Sequence, residues 1–588
     1  MMKEIKKIFI KNFSLDSRSL AFFRVGIGLT FLIDYLFTRI PYADLFYFRG
    51  GLSSARSHAS SLAFIHSADW FQLLLLLSAI ICFCLLIVGY KTRYTAFIAW
   101  LLLVSIHAKN EMIVNAGDIL GYLLLFWALP LPLNKHFSVD SALKEQKSTE
   151  HFSLFSIFFI GQIILVYWIA FLLKNHPIWQ NGDAIYYAMM LDNFRTYWGD
   201  ILLQYPYAMK VLTYITYYFI EGSVPLLLLF LGFIPQMRIF LIFSMLMFHI
   251  SLNITMHLGM FSYFCMFMWC ALLPSEFWNY LKKYIPKKSL DIYFDGKCSF
   301  CKKSTYLLKT FLILPRIKLM EAQSNPSALS EMEKRNSWLV WNQDKGWQSH
   351  FSAFVELISR SPLFFYLAPV LRLKIISSLG NKAYALVAKN RNNLNLSIPE
   401  DAPLFQKRKW VFALCMFYSF CFLYIIAWNI RTLNFKHYEK YFPRKYNDAG
   451  HFLHISQYWS MFAPYPMKKG GYVILSATRE DDTKIDLWKN GEPVMITPQA
   501  PHRYDKTFPV FRFRKMIENI IHKKNHQGMR KVYLRYLCRK WNKKLKENPI
   551  QRIELIHMST VTPEPGKLRA PAKQQSVASM KCPSPKEK

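Results

Sequence analysis

The sequence predicts a multi-pass α-helical membrane domain, then a small α/β domain, then a β-rich C-terminal soluble domain. Three observations carry this architecture. Of 588 residues, 53 % are hydrophobic and 17 % aromatic, while only 19 % are charged, a composition that excludes disordered and fibrous chains. Apolar runs of spanning or near-spanning length crowd the first half. Beyond residue 290 these give way to short strand-like and helix-like stretches, with one further apolar run near 410–428.

The first eight apolar segments fall at about 20–38, 72–89, 95–107, 118–133, 153–173, 211–233, 239–256 and 258–274. The N-terminal MMKEIKKIFIKNF is basic, but no small-residue cleavage site follows the first apolar run. That run is therefore expected to remain as a transmembrane helix. With the N-terminus inside, the inner connections hold 15 Lys/Arg and the longer outer ones hold 7, which is the orientation that positive-inside bias favours. Eight crossings then leave 290–405 in the cytoplasm. The helix at 410–428, entered behind Lys407-Arg408-Lys409, carries the remainder to the opposite side. The expected units are 1–280, 290–405, 406–430, 431–558 and a disordered basic tail at 559–588, rich in Pro, Ser, Lys and Gln.

Net charge is +36, and residues 501–588 alone carry 22 Lys/Arg against 6 Asp/Glu. Beside a bilayer, such an excess suits anionic lipid headgroups. No stacking platform or nucleic-acid module accompanies it, so no nucleic-acid partner is expected.

Of ten cysteines, six lie in apolar stretches (Cys82, Cys84, Cys265, Cys270, Cys415 and Cys421) and read as small buried hydrophobes. Cys538 and Cys582 look isolated. Cys298 and Cys301 form a C-x-x-C immediately after the predicted strand LDIYFDG, at the start of the predicted helix CSFCKKSTYLLKTFLIL. A helix N-terminus and the nearby Lys297, Lys302 and Lys303 favour a thiolate. Cys298 is then the attacking thiol and Cys301 the resolving thiol in disulfide exchange. Zinc would need two further ligands, and no second C-x-x-C or close Cys/His pair follows, so no metal site is expected. An inert structural pair is the other alternative.

Asp295-Gly296-Lys297-Cys298-Ser299-Phe300-Cys301, with the later stretch KAYALVAKNRN containing Tyr384, Asn390 and Arg391, resembles the DCC-type thiol–disulfide oxidoreductases. The resemblance covers about 291–395. It implies a thioredoxin-like domain and a catalytic role for Cys298, Cys301 and Asp295, with a dithiol or disulfide protein as partner.

Ionisable residues in or beside spans invite a functional reading. They include Arg24, Asp34, Asp118, Lys174, Glu221, His249 and His257. The bland readings are a snorkelling Lys174, a packed His249, and Arg24 paired with Asp34 or Glu221 as structural glue. The blocks LAFFRVGIGLTFLIDYL, NAGDILGYLLLFWALPLP, LVYWIAFLLKNHPIWQNGDAIYYAM, EGSVPLLLLF and FHISLNITMHLGMFSYFCMFMWCALLP occur in order and resemble the HTTM domain shared with vitamin K-dependent gamma-carboxylase. There a lysine after Y-x-x-A-G-x-x-K is the proposed base. Tyr167 to Lys174 match that motif, with Phe171 at the glycine position. The resemblance implies Lys174 as a base and a quinone-like or lipid-like ligand near Arg24, Asp118, Glu221, His249 and His257. The stretch ISQYWSMFAPYPMKKGGYVILSATREDDTKIDLW resembles the soluble domain that follows HTTM in bacterial members.

Three functions stay open at this point: a membrane-bound thiol–disulfide oxidoreductase, a carboxylase-like or epoxidase-like enzyme using Lys174, and a non-catalytic scaffold with a redox-sensing dithiol. The expected location is a bacterial inner membrane, with the C-terminal domain on the outer side.

Overall fold

The computed structural model describes residues 1–52, 61–144, 149–284, 290–314, 316–391, 408–433, 442–501, 503–522 and 527–583. Lys407, residues 392–405 of the expected dithiol domain and 584–588 of the expected tail lie outside the described residues.

An amphipathic helix, α1 (Met2–Phe13), leads into β1 (Leu15–Asp16) and the first bundle helix, α2 (Ser17–Asp34). Asp16 caps α2 by accepting the Arg18 N–H at 2.7 Å. The strand β1 pairs antiparallel with β2 (Glu150–His151), tying the start of α2 to the segment before α6. The bundle continues with α3 (Asp69–Val88), α4 (Thr92–Lys109), α5 (Ala116–Ala128) and α6 (Leu154–Leu173). Helix α3 stops at Gly89, whose φ of 68° is the left-handed cap conformation. Helices α5 and α6 each open with a reciprocal cap, Asn115–Asp118 and Ser153–Ser156.

Next comes α7 (Pro206–Tyr214), which widens into a π-helical turn at Ile215–Ser223 and resumes as α8 (Val224–Leu231). The bundle closes with α9 (Pro235–Thr255) and α10 (Phe261–Cys270), and α11 (Ser275–Tyr284) follows it. Phe31 of α2 packs on Phe83 of α3 and Phe264 of α10, with ring centroids 5.3 and 4.7 Å away. Trp127 and Trp269 are fully buried.

Among the described residues, six helical stretches are long and apolar enough to cross a membrane. They are 17–46, 69–88, 154–173, 206–231, 235–255 and 409–432. Helices α5 and α10 are apolar but shorter. The sequence reading of eight to nine spans counted these and α4 as well. Helix α4 carries Arg93, His107 and Lys109 and buries most of its second half inside the bundle.

The α/β domain has its own core, built on Ile292, Val340, Ala353 and Leu357. Its sheet order is β4-β3-β5-β6. The strands are β3 (Asp291–Phe294), β4 (Lys318–Glu321), β5 (Leu339–Asn342) and β6 (Gly346–Ser349). β3 and β4 run parallel, joined through α12 (Ser299–Phe311), while β5 and β6 are antiparallel. Helix α13 (Pro326–Arg335) precedes β5, α14 (His350–Arg360) follows β6, and α15 (Lys374–Asn390) packs against α14. This β-α-β then β-β-α arrangement is the thioredoxin-like layout.

Helix α16 (Arg408–Thr432) returns to the bundle and packs along α6. Gly161 makes the approach, since a Cβ there would come within 2.5 Å of the Phe422 ring. Tyr418 stacks on Phe126 with ring centroids 4.9 Å apart.

The C-terminal domain is an antiparallel sheet in the order β11-β10-β7-β8-β9. It comprises β7 (Lys469–Arg479), β8 (Lys484–Asp486), β9 (Glu492–Pro493), β10 (Ile550–Val561) and β11 (Lys573–Lys581). Helices α17 (Phe511–His522) and α18 (Gln527–Asn542) lie between β9 and β10.

Two sequence expectations are corrected here. Residues 559–583 do not form a disordered tail: β10 runs to Val561, and β11 pairs with it from Arg552↔Lys581 to Ser559↔Lys573. Cys538 and Cys582 are not isolated, because they form a disulfide between α18 and the residue after β11. The strand is polar and largely exposed at a sheet edge, so its composition imitates disorder. Ladder hydrogen bonds and a covalent clip hold it, with Val577, Ala578 and Met580 packing against the core.

Candidate functional site

The dithiol sits where a strand becomes a helix. The β3 strand delivers Asp295-Gly296-Lys297, and Cys298 takes the N-cap position of α12. Its Sγ accepts the Cys301 N–H at 3.3 Å, as a cap oxygen would. Its own N–H donates to the Asp295 carbonyl at 3.1 Å. The Asp295 carboxylate accepts the Lys297 N–H at 3.0 Å and the Gln323 amide at 2.7 Å, while Gln323 Oε1 accepts the Gly296 N–H at 3.0 Å. Asp295 therefore braces the loop that presents Cys298. A Cβ at Gly296 would meet the Glu321 carboxylate at 2.8 Å, so a larger residue there would push that exposed side chain aside.

Both thiols are free and partly exposed. Burial, then the hydrogen bond and charge of Cys298, push the Cys301 thiol up to about 12, against the lowering pull of Arg391. A Cys301 that holds its proton beside a Cys298 on the helix N-terminus is the division of labour a two-thiol exchange needs. Tyr384 of α15 reaches back to the same place. Its hydroxyl lies 2.8 Å from Ser337 Oγ, and its ring packs on His350 at 5.2 Å. Arg391 donates to Asn336 Oδ1 at 3.5 Å.

The polar residues of the bundle do not converge on one pocket; each has its own partners. Lys174 caps the C-terminus of α6 and is buried, with Nζ 2.6 Å from both Glu221 oxygens and 5.0 Å from the Trp179 ring centroid. Glu221 comes from the π-helical turn. The snorkelling alternative is thereby replaced by a buried ion pair. Phe171, at the motif's glycine position, lies over Gly222, where a Cβ would stand 3.2 Å from its ring. The ring that replaces one glycine is thus accommodated by another.

Arg24 pairs with neither Asp34 nor Glu221. Its Nη2 donates to the Phe137 carbonyl at 2.5 Å, and its Nε and Nη1 make no hydrogen bond. His249 is buried, with Nε2 2.7 Å from the Tyr167 hydroxyl, which also accepts the Trp269 N–H at 2.9 Å. His257 is half exposed and pairs with Asp505 at 2.8 Å.

Asp118 belongs to a buried ionic cluster that sequence reasoning did not assemble. Arg39 contacts Asp34 at 2.9 Å, Asp118 at 2.7 Å and His107 Nε2 at 2.9 Å. Arg512, from α17 of the C-terminal domain, reaches Asp34 at 2.6 Å and Asp118 at 2.8 and 3.0 Å. It also donates to Thr38 Oγ1 and the Ile113 carbonyl. Arg514 is buried as well, donating to the Asn193 and His257 carbonyls. These two arginines of the basic stretch meet protein groups. Their visible signal was FRFRK, in which arginines alternate with aromatics. Among the described residues, no group of three or more His, Cys, Asp or Glu could hold a metal ion.

Comparison with known proteins bears on two parts of the chain. The model of the HTTM domain matches residues 12–278, and that of the DCC1-like thiol-disulfide oxidoreductase matches 292–397. No curated protein and no solved structure matches. The bundle and the dithiol fold thus have separate family likenesses in chain order, and the chain is a membrane protein carrying an HTTM domain followed by a DCC1-like thiol-disulfide oxidoreductase domain.

Proposed function

We propose that the protein is a membrane-tethered thiol–disulfide oxidoreductase acting on a protein disulfide or dithiol through Cys298 and Cys301. The observation that carries this is the N-cap position of Cys298, whose sulfur accepts a backbone N–H of the helix it begins. In the reducing direction the Cys298 thiolate attacks a partner disulfide, forming a mixed disulfide and releasing one partner thiolate. Cys301, after losing its proton, attacks Cys298 Sγ. The dithiol becomes a disulfide, the second partner thiol leaves, and two electrons have passed to the partner. Asp295 is a positioning residue that shapes the loop.

The proposed topology puts the N-terminus and the dithiol in the cytoplasm of a bacterial cell and the C-terminal domain outside its inner membrane. Two observations support it. Lys/Arg bias favours the N-in orientation. The Cys538–Cys582 disulfide suits an oxidising compartment, and the apolar helix α16 separates it in sequence from the free thiols Cys298 and Cys301.

The test is mass spectrometry of mixed disulfides in cells expressing the Cys301→Ser chain. Partners should accumulate on Cys298 and vanish in Cys298→Ser. If neither variant changes any captured partner, the exchange function is lost and the scaffold reading replaces it.

A second reading, a quinone-like ligand with Lys174 as base, draws support from the buried Lys174–Glu221 pair beside a π-helical turn, a feature frequent at functional sites. It requires the ligand to separate the pair. A quinone that protects wild type but not Glu221→Gln from thermal unfolding would support it; equal protection of both would end it.

A further inference from the structure

The α/β domain shows an apolar face that its own core does not use. Between residues 361 and 391 the exposed large hydrophobics include Phe365 at 58 %, Tyr366 at 61 %, Leu373 at 58 %, Ile375 at 77 %, Leu379 at 60 % and Leu386 at 64 %. Exposure this dense is unusual for a domain surrounded by water. Helix α15 explains the arrangement. Its inner face rests on the domain through Gly380, where a Cβ would collide with the Phe351 ring at 2.5 Å. The same face carries Asn381, which accepts the Phe351 N–H, and Tyr384, which reaches Ser337. Ile375, Leu379 and Leu386, at spacings of four and seven, form the opposite stripe.

Charge says what covers this face. Residues 361–391 contain five Lys/Arg (Arg372, Lys374, Lys382, Lys389 and Arg391) and no Asp or Glu. Lys374, Lys382 and Lys389 are exposed on α15 itself. Lysines bordering an apolar stripe can bury their stems with it and lift their ammonium groups to headgroup level. The domain is also confined beside a bilayer: α10 and α11 lead into it, and the membrane helix α16 begins at Arg408, 17 residues after Arg391.

We propose that the 363–390 face docks the dithiol domain onto the anionic lipid surface to which the chain tethers it. The inference does not rest on the exchange activity. It has one consequence for it: Tyr384, on the inner face of the docking helix, and Arg391, at that helix's C-terminal end, both neighbour Cys301. The mouth of the dithiol is then held at headgroup height, and its partner disulfide must be presented there.

Hydroxyl-radical footprinting of the full-length protein in nanodiscs tests this. One set of discs is phosphatidylcholine alone, the other phosphatidylcholine mixed with phosphatidylglycerol. Oxidation of Phe365, Tyr366, Ile375, Leu379 and Leu386 should fall by roughly fivefold or more in the anionic discs, on the scale of one surface cation's attraction to an anionic membrane. It should return in Lys374→Gln/Lys382→Gln/Lys389→Gln. These side chains are exposed, so the variant keeps its fold. Equal oxidation in the two lipids, whether high or low, overturns the proposal. So does protection that appears only when cytoplasmic protein is added, which would assign the face to a protein partner.

Discussion

Replacing Arg512 with methionine tests whether the C-terminal domain is locked to the bundle by charge. The substitution keeps much of the apolar bulk and removes five hydrogen bonds, to Thr38, Ile113, Asp34 and twice to Asp118. Two buried carboxylates are left with one guanidinium, Arg39. Breaking a buried ion pair from one side costs about 3–5 kcal/mol. Asp34 keeps Arg39 and Thr38, at 2.9 and 2.6 Å, so the lower end, about 3 kcal/mol, applies. Thermal unfolding of the detergent-solubilised full chain should show Tm falling by roughly 2–3 °C. Arg512→Met with Asp118→Asn removes charge from both sides and should recover most of the loss. A single variant within about 1 °C of wild type, or a double variant worse than the single, would refute the reasoning.

Lys174→Met should cost roughly 3 kcal/mol by stranding Glu221, and adding Glu221→Gln should restore stability; a base-only role for Lys174 predicts no such rescue. Cys538→Ser should destabilise the C-terminal domain by up to about 4 kcal/mol, the loop-closure entropy for a 44-residue separation, read by limited proteolysis of the full chain. The same domain should lose stability in acid through His557, whose imidazole burial, helped by the charge of His522, pushes down to about 4. The unfolded group binds its proton near pH 6.5 and the folded one does not, so stability is complete above that pH and declines from there towards pH 4. The loss is roughly 2 kcal/mol after allowing for solvent near the ring. His557→Gln should flatten the profile over this window, and an unchanged slope counts against the assignment.

The parts legible in the sequence were those whose signal is local. The dithiol is a motif of seven neighbouring residues, and its strand, turn and helix follow from hydrophobic spacing and capping. The aromatic, Gly-punctuated runs announced β7 and β8 in the same way. What stayed hidden depends on pairs distant in sequence. Asp34 and Asp118 were visible as polar residues in apolar surroundings. Their partner Arg512 lies about 400 residues beyond Asp118 in a stretch whose charge resembles a solvated face. Arg24 seemed to need a carboxylate and instead took the carbonyl of Phe137. The polar β11 strand has too little apolar surface to betray itself, and the cysteine that clips it had no neighbour to suggest a pair.

In the topology proposed above, that clip would tie the maturation of the C-terminal domain to its address. β11 completes the sheet by covering one edge of β10, and Cys582 is oxidised onto Cys538 only where thiols can be oxidised. A chain whose C-terminal domain failed to leave a reducing compartment would keep β11 free to fray. The bare ladder of β10 would then invite pairing with other chains and attack by proteases. On that topology, correct delivery and a finished sheet would be one event, and misdelivered copies would carry their own mark for removal.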